Sequence, residues 1–194
     1  SYNAMGGMQS ARSLLGVLRN NKTITTVNLS GNMFVRTTGA LECITDGLGS
    51  NSTLLKIILS HCALLDGGIS ILTQNLSTTL QKLTLNNNGI TSTGFRVLLQ
   101  TMEQSSHDIT DLDLQTNPIG NGGAIFLTRT LEDNTLPNLR RLSLYNCDID
   151  DDGFITLVSA LEQNTSLLHL DLRHSSGFSE RAFFTLAESL AKIK

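Results

Sequence analysis

The feature that most constrains the fold of this chain is one pattern, L-x-x-L-x-L-x-x-N/C, which can be aligned six times along it. The fourth and sixth positions alternate as in a short strand with one buried face. A pattern that returns every 20 to 50 or so residues is typical of proteins built from stacked repeats. The copies begin at Ile24, Leu54, Leu80, Ile109, Leu139 and Leu167, at intervals of 30, 26, 29, 30 and 28 residues.

The second half of each copy has the periodicity of a helix. A small residue, usually glycine, is followed by an apolar one and then by two apolar residues four positions apart, such as Leu157 and Leu161. Residues four apart lie on one face of a helix. Leu14 and Leu18 have the same spacing before the first copy. The chain is therefore predicted to open with a partial helix at residues 8–21.

Each copy thus predicts a strand, a turn and a helix, and about six such repeats share one core. Parallel strands stack about 4.8 Å apart, whereas a helix is about 10 Å wide. An array of such units must therefore curve, with the strands inside the bend. We predict an α/β fold, a right-handed α/β solenoid with a parallel sheet on the concave face and helices on the convex face.

The ninth position of the pattern is suited to a turn whose backbone groups face inward. Asparagine can donate and accept there at once, and cysteine is small enough to be buried and is a weak donor. The six residues at this position are Asn32, Cys62, Asn88, Asn117, Cys147 and Ser175.

The extended pattern LxxLxLxxN/CxIxxxGxxxLxxxLxxN resembles the ribonuclease-inhibitor-like class of leucine-rich repeats, over roughly residues 8–194. Related arrays occur in ribonuclease inhibitor, NOD-like receptors, the Ran GTPase-activating protein and tropomodulin-like proteins. The resemblance implies a leucine-rich-repeat horseshoe that contacts other macromolecules. Residues 1–4 are interpreted as a cloning remnant and residues 5–194 as a single array. Neither end has a polar capping unit, which predicts a fragment of a longer array or a partner over the ends.

Composition argues against several classes of protein. The net charge of −3 disfavours a general nucleic-acid or anionic-membrane binder. No apolar run approaches the roughly 18 residues of a membrane span, and the N-terminus does not resemble a signal peptide. Three cysteines do not make a disulfide framework, so reduced thiols and a cytoplasmic location are expected. We expect no cofactor, and either a monomer or a fragment of a larger protein.

One segment resembles a calcium loop. Asp148, Asp150, Asp152 and Gly153 match the start of an EF-hand motif, but Ser159 stands where the motif requires glutamate. Acidic residues before a helix also favour its N-terminus. Helix capping is therefore the preferred interpretation.

Two further groups of polar or thiol side chains are considered as reactive sites, and neither is favoured. His169, Asp171, Arg173 and His174 form the densest polar cluster, but a metal or acid–base site would need a dry pocket, and a solvated face is expected. The six residues at the ninth position of the pattern are called the ladder below. Its two cysteines, Cys62 and Cys147, are three repeats apart. That is about 14 Å by strand spacing, which exceeds the limit of about 7 Å for a disulfide.

The concave face presents three columns of side chains, taken from the third, fifth and seventh positions of the pattern. The sequence predicts that part of the charge pairs across the sheet, since Asp111 and Asp113 lie one strand from Arg141. Arg141 and Tyr145 have no role in the repeat itself. The first column is Thr26, Lys56, Lys82, Asp111, Arg141 and His169; the second is Asn28, Ile58, Thr84, Asp113, Ser143 and Asp171; the third is Ser30, Ser60, Asn86, Gln115, Tyr145 and Arg173.

These columns favour a non-catalytic protein–protein interaction module that binds a protein partner on its concave face. The alternatives are a regulatory array, such as a GTPase activator or an actin regulator, and an autoinhibitory or spacer segment of a larger protein. The predicted partner-binding residues are Lys56, Ile58, Lys82, Asp111, Asp113, Arg141, Tyr145, Asp171, Arg173 and His174.

Overall fold

Strands and helices alternate along the chain in the computed structural model, which describes residues 7–33, 39–105, 108–174 and 179–192. The strands of those ranges are β1 Thr26–Asn28, β2 Lys56–Ile58, β3 Lys82–Thr84, β4 Asp111–Asp113, β5 Arg141–Ser143 and β6 His169–Asp171. Their helices are α1 Met8–Asn20, α2 Ala40–Gly49, α3 Leu65–Gln74, α4 Ser92–Gln104, α5 Gly120–Glu132, α6 Asp151–Leu161 and α7 Glu180–Lys192. The predicted α/β solenoid is confirmed.

The strands pair in parallel in one sheet, in the order β1-β2-β3-β4-β5-β6. Each strand lies beside the strand of the next repeat, so equivalent positions of successive repeats meet across the sheet. The register therefore confirms the alignment of the repeats that predicted the columns. In the first column, Thr26 pairs with Lys56, Lys56 with Lys82, Lys82 with Asp111, Asp111 with Arg141 and Arg141 with His169.

The core lies between this sheet and the helices. Leu83, Leu112 and Leu142, the middle residues of β3, β4 and β5, are at most 2% exposed. Fully burying one leucine stabilises a fold by about 1.5–3 kcal/mol relative to leaving it in water. Each helix packs against the helix of the next repeat. Because helices are wider than the strand spacing, the helices occupy the convex side and the sheet the concave side.

The glycine at the start of several helices is required by the apolar residue four positions before it. A Cβ on Gly123 would lie 2.1 Å from Cγ2 of Ile119 and 3.1 Å from the ring of Phe95 in the preceding helix. A Cβ on Gly153 would lie 2.9 Å from Cγ2 of Ile149. The I-x-x-x-G part of the pattern is thus a close contact between the end of the turn and the first helical turn.

The ninth position joins neighbouring turns through hydrogen bonds. Oδ1 of Asn117 accepts from the backbone N–H groups of Asn88 and Ile90, at 2.9 and 3.1 Å. Its amide nitrogen donates to the carbonyls of Leu85 and Leu114, at 3.0 and 2.7 Å. One side chain therefore forms hydrogen bonds with backbone groups of two successive repeats, which is the role predicted for this position.

Candidate functional site

The concave face carries the residues predicted to bind a partner, and the structure gathers them into two clusters. The first, the ion triad, consists of Lys82, Asp111 and Arg141. The second, the aromatic cluster, consists of Tyr145, Asp171, Arg173 and His174 at the β6 end of the sheet. The remaining predicted residues, which belong to neither cluster, are Lys56, Ile58 and Asp113.

The ion triad is a carboxylate between two cations. Nε of Arg141 donates to Oδ1 of Asp111 at 2.5 Å, and Nζ of Lys82 lies 3.7 Å from Oδ2. The hydroxyl of Thr110 also donates to Oδ2, at 2.7 Å. Desolvation opposes the charge of Asp111, but the hydrogen bonds and the two cations outweigh it and hold its pKa below the ordinary value. Exposed ion pairs of this kind contribute at most about 1 kcal/mol to stability, so their main effect is to orient the side chains.

The aromatic cluster is held together by Arg173. Its guanidinium donates to both carboxylate oxygens of Asp171, at 2.9 and 2.8 Å, and its Cζ lies 5.6 Å from the ring centroid of Tyr145. The rings of Tyr145 and His174 are 4.9 Å apart at an angle of 48°. The hydrogen bond from Arg173 also lowers the pKa of Asp171, so the carboxylate remains charged. The four side chains thus hold one another in place before any partner binds.

Two expectations about these residues are wrong. Asp171 was expected on a solvated face, yet its side chain is only 9% exposed. Tyr145 was expected to have no role in the repeat, but its ring contacts Arg173 and His174, whereas the pairing of Arg141 with Asp111 agrees with the charge pairing predicted across the sheet. Side chains of adjacent strands in a parallel sheet are close enough for long groups such as guanidinium to reach across.

Lys56, Ile58 and Asp113 belong to neither cluster and are half-buried in the sheet surface, where Lys56 lies in register beside Lys82. Oδ1 of Asp113 accepts a hydrogen bond from the backbone N–H of Gln115, at 3.3 Å. Within the described residues Lys56 forms no ion pair. These side chains therefore leave one charge of each sign available to a partner.

Sequence reasoning missed two contributors. Thr110 donates a hydrogen bond to Asp111 of the ion triad. The sequence could have indicated this contact, because Thr110 directly precedes Asp111 in the chain. A groove on the convex side lies between α4 and α5, where the guanidinium of Arg96 is 5.6 Å from the ring centroid of Phe126. No sequence signal pointed to it, since its residues come from the outer faces of two helices.

The aspartates at the start of α6 cap helices. Asp150 is the N-cap of α6, where its carboxylate accepts from two N–H groups of the first turn and from the amide of Asn121. The hydrogen bond from Asn121 holds the pKa of Asp150 below its ordinary value. Asp151 accepts from the backbone N–H and the hydroxyl of Ser179. Across the described residues, no three His, Cys, Asp or Glu side chains are grouped to hold a metal ion.

The ladder cysteines are buried thiols. Cys62 and Cys147 are both free and 0% exposed, and Sγ of Cys147 donates to the carbonyl of Leu114 at 3.2 Å. Burial raises the pKa of the Cys62 thiol, and it raises the pKa of the Cys147 thiol to about 11. Ser175, the sixth residue of the ladder, lies outside the described residues.

We expect a thiol reagent such as Ellman's reagent to modify Cys43 alone in the folded protein, at mildly alkaline pH. Cys43 is half-buried, whereas the ladder thiols are enclosed. At a pKa of about 11 only about one Cys147 thiol in a thousand is ionised near pH 8, and the thiolate is the reactive form. Absorbance of the released thiolate should report one thiol in buffer and all three in denaturant. Rapid reaction of a second thiol without denaturant would contradict the buried ladder.

Comparison with known proteins agrees with this geometry. The family described as Leucine Rich repeat matches residues 76–99, 105–127 and 135–158, which include strands β3, β4 and β5. The chain is a leucine-rich-repeat protein. The resemblance on which the fold was predicted is thereby confirmed. Among the described helices of this leucine-rich-repeat protein, none has both the length and the apolar character needed to cross a membrane.

Its relatives include a protein with NACHT, LRR and PYD domains and a ribonuclease inhibitor. The human protein "NACHT, LRR and PYD domains-containing protein 2" is 33% identical over 190 residues, which is 83% of this chain and 18% of the relative. Mouse ribonuclease inhibitor is 34% identical over 140 residues, covering 70% of this chain and 30% of the relative. The chain therefore spans less than a third of the length of either relative.

A solved structure shows the same fold at low sequence identity. The structure described as "Leiomodin-1 Actin-Binding Site 2" superposes with a TM-score of 0.54 at 17% identity, covering 93% of this chain and 87% of that one. At this identity the likeness concerns the fold alone.

Proposed function

We propose that this leucine-rich-repeat protein is a non-catalytic interaction module whose concave sheet binds a protein partner. The observation that carries the proposal is the aromatic cluster, in which Tyr145, Arg173 and His174 are held in one arrangement over a buried Asp171. Tyrosine and arginine are the residue types that most often dominate binding energy at interfaces. Side chains that are already ordered lose less entropy on binding.

The relatives support a binding role. Leucine-rich repeats are typical protein-interaction modules, and one relative is named as an inhibitor of a ribonuclease, which is itself a protein. The ion triad supports the same surface, since it orients two cations without enclosing a reactive group. No catalytic role is proposed for any residue of the face.

The extent and setting of the module are part of the proposal. We take residues 5–194 as one array that acts as a monomer or as a section of a larger protein. Free, buried thiols at Cys62 and Cys147 are compatible with a reducing compartment, and the cytoplasm is the proposed location. A regulatory, autoinhibitory or spacer role would use the same array, and no contact on the concave face favours one of these over simple binding.

We expect the double variant Tyr145→Ala, His174→Ala to lose at least about five-sixths of the partner captured by the wild-type protein, because truncating an interface anchor costs about 1 kcal/mol or more. The Arg173–Asp171 pair stays in place, so the fold is preserved. Affinity capture from cells, followed by quantitative mass spectrometry, would measure the loss.

The matched control is Ile125→Ala, which removes an apolar side chain that is 54% exposed on α5, away from the sheet. It should leave capture unchanged, and circular dichroism should show all three proteins folded. If the concave variant still captures what the wild type captures, or if Ile125→Ala is the variant that fails, the binding surface is elsewhere.

A further inference from the structure

The first concave column contains more positive charge than the fold can neutralise. Lys56, Lys82 and Arg141 lie in register on β2, β3 and β5, and Asp111 on β4 is the carboxylate among them. Asp111 is shared by Lys82 and Arg141, while Lys56 has no ion pair within the described residues. Three cations and one carboxylate give this strip, which we call the cation strip, a formal charge of +2, in a chain whose net charge is −3.

The arrangement works against the stability of the sheet. Lys56 and Lys82 are direct register partners on neighbouring strands, about 4.8 Å apart at the backbone. Like charges directly opposite each other destabilise a sheet. The fold does not require lysine at this position, because Thr26 occupies the equivalent place on β1. The second and third columns reduce this excess only through Asp113, since Asp171 is already neutralised by Arg173, and a formal charge of +1 remains over the three columns.

We infer that the cation strip binds an acidic, extended segment of the protein partner that runs across the strands. This deepens the proposed function and rests on it. One carboxylate would lie over Lys56, and others over Lys82 and Arg141 beside the carboxylate they already share. The complementarity is between a strip of excess positive charge and a segment rich in Asp or Glu.

The dimensions of the strip fit such a segment. From Lys56 to Arg141 there are three strand spacings, which is about 14 Å. Alternate residues of an extended peptide are about 6.6 Å apart on one side, so three of them span about 13 Å. A segment with acidic residues at every second position therefore places one carboxylate near each cation.

One feature favours an acidic peptide over a nucleic-acid strand. Single-stranded nucleic acid is bound by stacking bases on aromatic rings. The first column contains no such ring between Lys56 and Arg141, and Tyr145 belongs to the third column.

The test uses a fluorescein-labelled peptide with three glutamates at alternate positions, separated by serines, and fluorescence anisotropy with the wild-type protein. The same peptide with glutamine in place of glutamate is the probe control. We expect the glutamate peptide to bind and the glutamine peptide not to. Lys56→Glu should weaken binding at least about tenfold, because reversing a charge puts like charges in contact. Binding should also weaken as salt is added, since salt screens these charges.

The matched protein control is Lys22→Glu, which changes the net charge equally at an exposed turn between α1 and β1. It should alter the affinity by less than about twofold if the effect is local. Lys56→Glu should unfold at or above the wild-type temperature, because the new glutamate faces Lys82. Its loss of binding would then not be a loss of fold.

The inference is overturned if Lys56→Glu binds the glutamate peptide as tightly as wild type, or if Lys22→Glu weakens binding as much. It is also overturned if single-stranded oligouridylate of the same charge binds more tightly than the peptide. Partner capture separates this failure from a failure of the proposed function. Capture that depends on Tyr145 and His174 but not on Lys56 would retain the concave interface and reject the acidic segment.

Discussion

Asn117→Leu is expected to lower the free energy of unfolding by about 4 kcal/mol, although leucine is close to asparagine in size. The carbonyls of Leu85 and Leu114 would keep other donors, the amide of Asn88 and the thiol of Cys147. The backbone N–H groups of Asn88 and Ile90 would lose the acceptor that Asn117 Oδ1 provides. Two buried donors without acceptors cost about 1–3 kcal/mol each.

Urea unfolding followed by far-ultraviolet circular dichroism measures this effect, as the chain has no tryptophan for fluorescence. Asn117→Cys is the matched variant, because Cys147 occupies the same position of the next repeat and donates to Leu114. Cysteine would keep the donor, and its sulfur would be a weak acceptor for an N–H of the preceding turn, as Cys147 is for Asn117. A smaller loss, about 2 kcal/mol, is therefore expected. An unchanged urea midpoint for Asn117→Leu would show that the ladder does not join the repeats.

Gly123→Ala is expected to lower the free energy of unfolding by about 2–3 kcal/mol, although alanine is the better helix former. The added Cβ would lie 2.1 Å from Cγ2 of Ile119, which is 1% exposed and enclosed by the core. It would also lie 3.1 Å from the ring of Phe95 on the preceding helix. Relief would require α5 to move away from α4, which separates two repeats. Thermal unfolding should show a decrease of several degrees.

Gly67→Ala is the control for helix propensity. Gly67 is also in the first turn of its helix, α3, and a Cβ there would meet no heavy atom within 4 Å. This substitution should raise stability, by up to about 1 kcal/mol. If both alanine variants shift stability in the same direction, close packing is not the reason for the glycine at position 123.

Both predictions concern positions that the sequence marked correctly. The ninth-position residue and the glycine of I-x-x-x-G were visible because the aligned repeats have a residue of the same kind at each place, with alanine replacing the glycine only in the outer copies. The sequence also indicated helix capping at Asp150, because the aligned copies have a helix start there, and the structure shows this cap. What it left open was how these residues act. The ladder contacts of Asn117 run to the preceding repeat, and the Gly123 contact involves Phe95, 28 residues earlier in the chain.

The candidate site was predictable as a surface and not as a set of contacts. Its columns follow from the alternation of strand residues and the spacing of the repeats. The pairing of Arg141 with Asp111 was partly expected, whereas the buried Asp171 and the tilted ring contact of Tyr145 with His174 were not. Such contacts depend on side-chain rotamers and on the distance between neighbouring strands. A one-dimensional pattern contains neither.

By itself the sequence determined the solenoid, the register of its sheet and the residues of each concave column. The physical reason is that a repeat of 26–30 residues with alternating and helical halves has only one way to bury all its apolar positions. Only the tertiary structure decided which concave charges are already neutralised within the fold. Asp111 and Asp171 are paired, whereas Lys56 forms no ion pair among the described residues, because pairing requires two side chains from different positions to meet at hydrogen-bond distance.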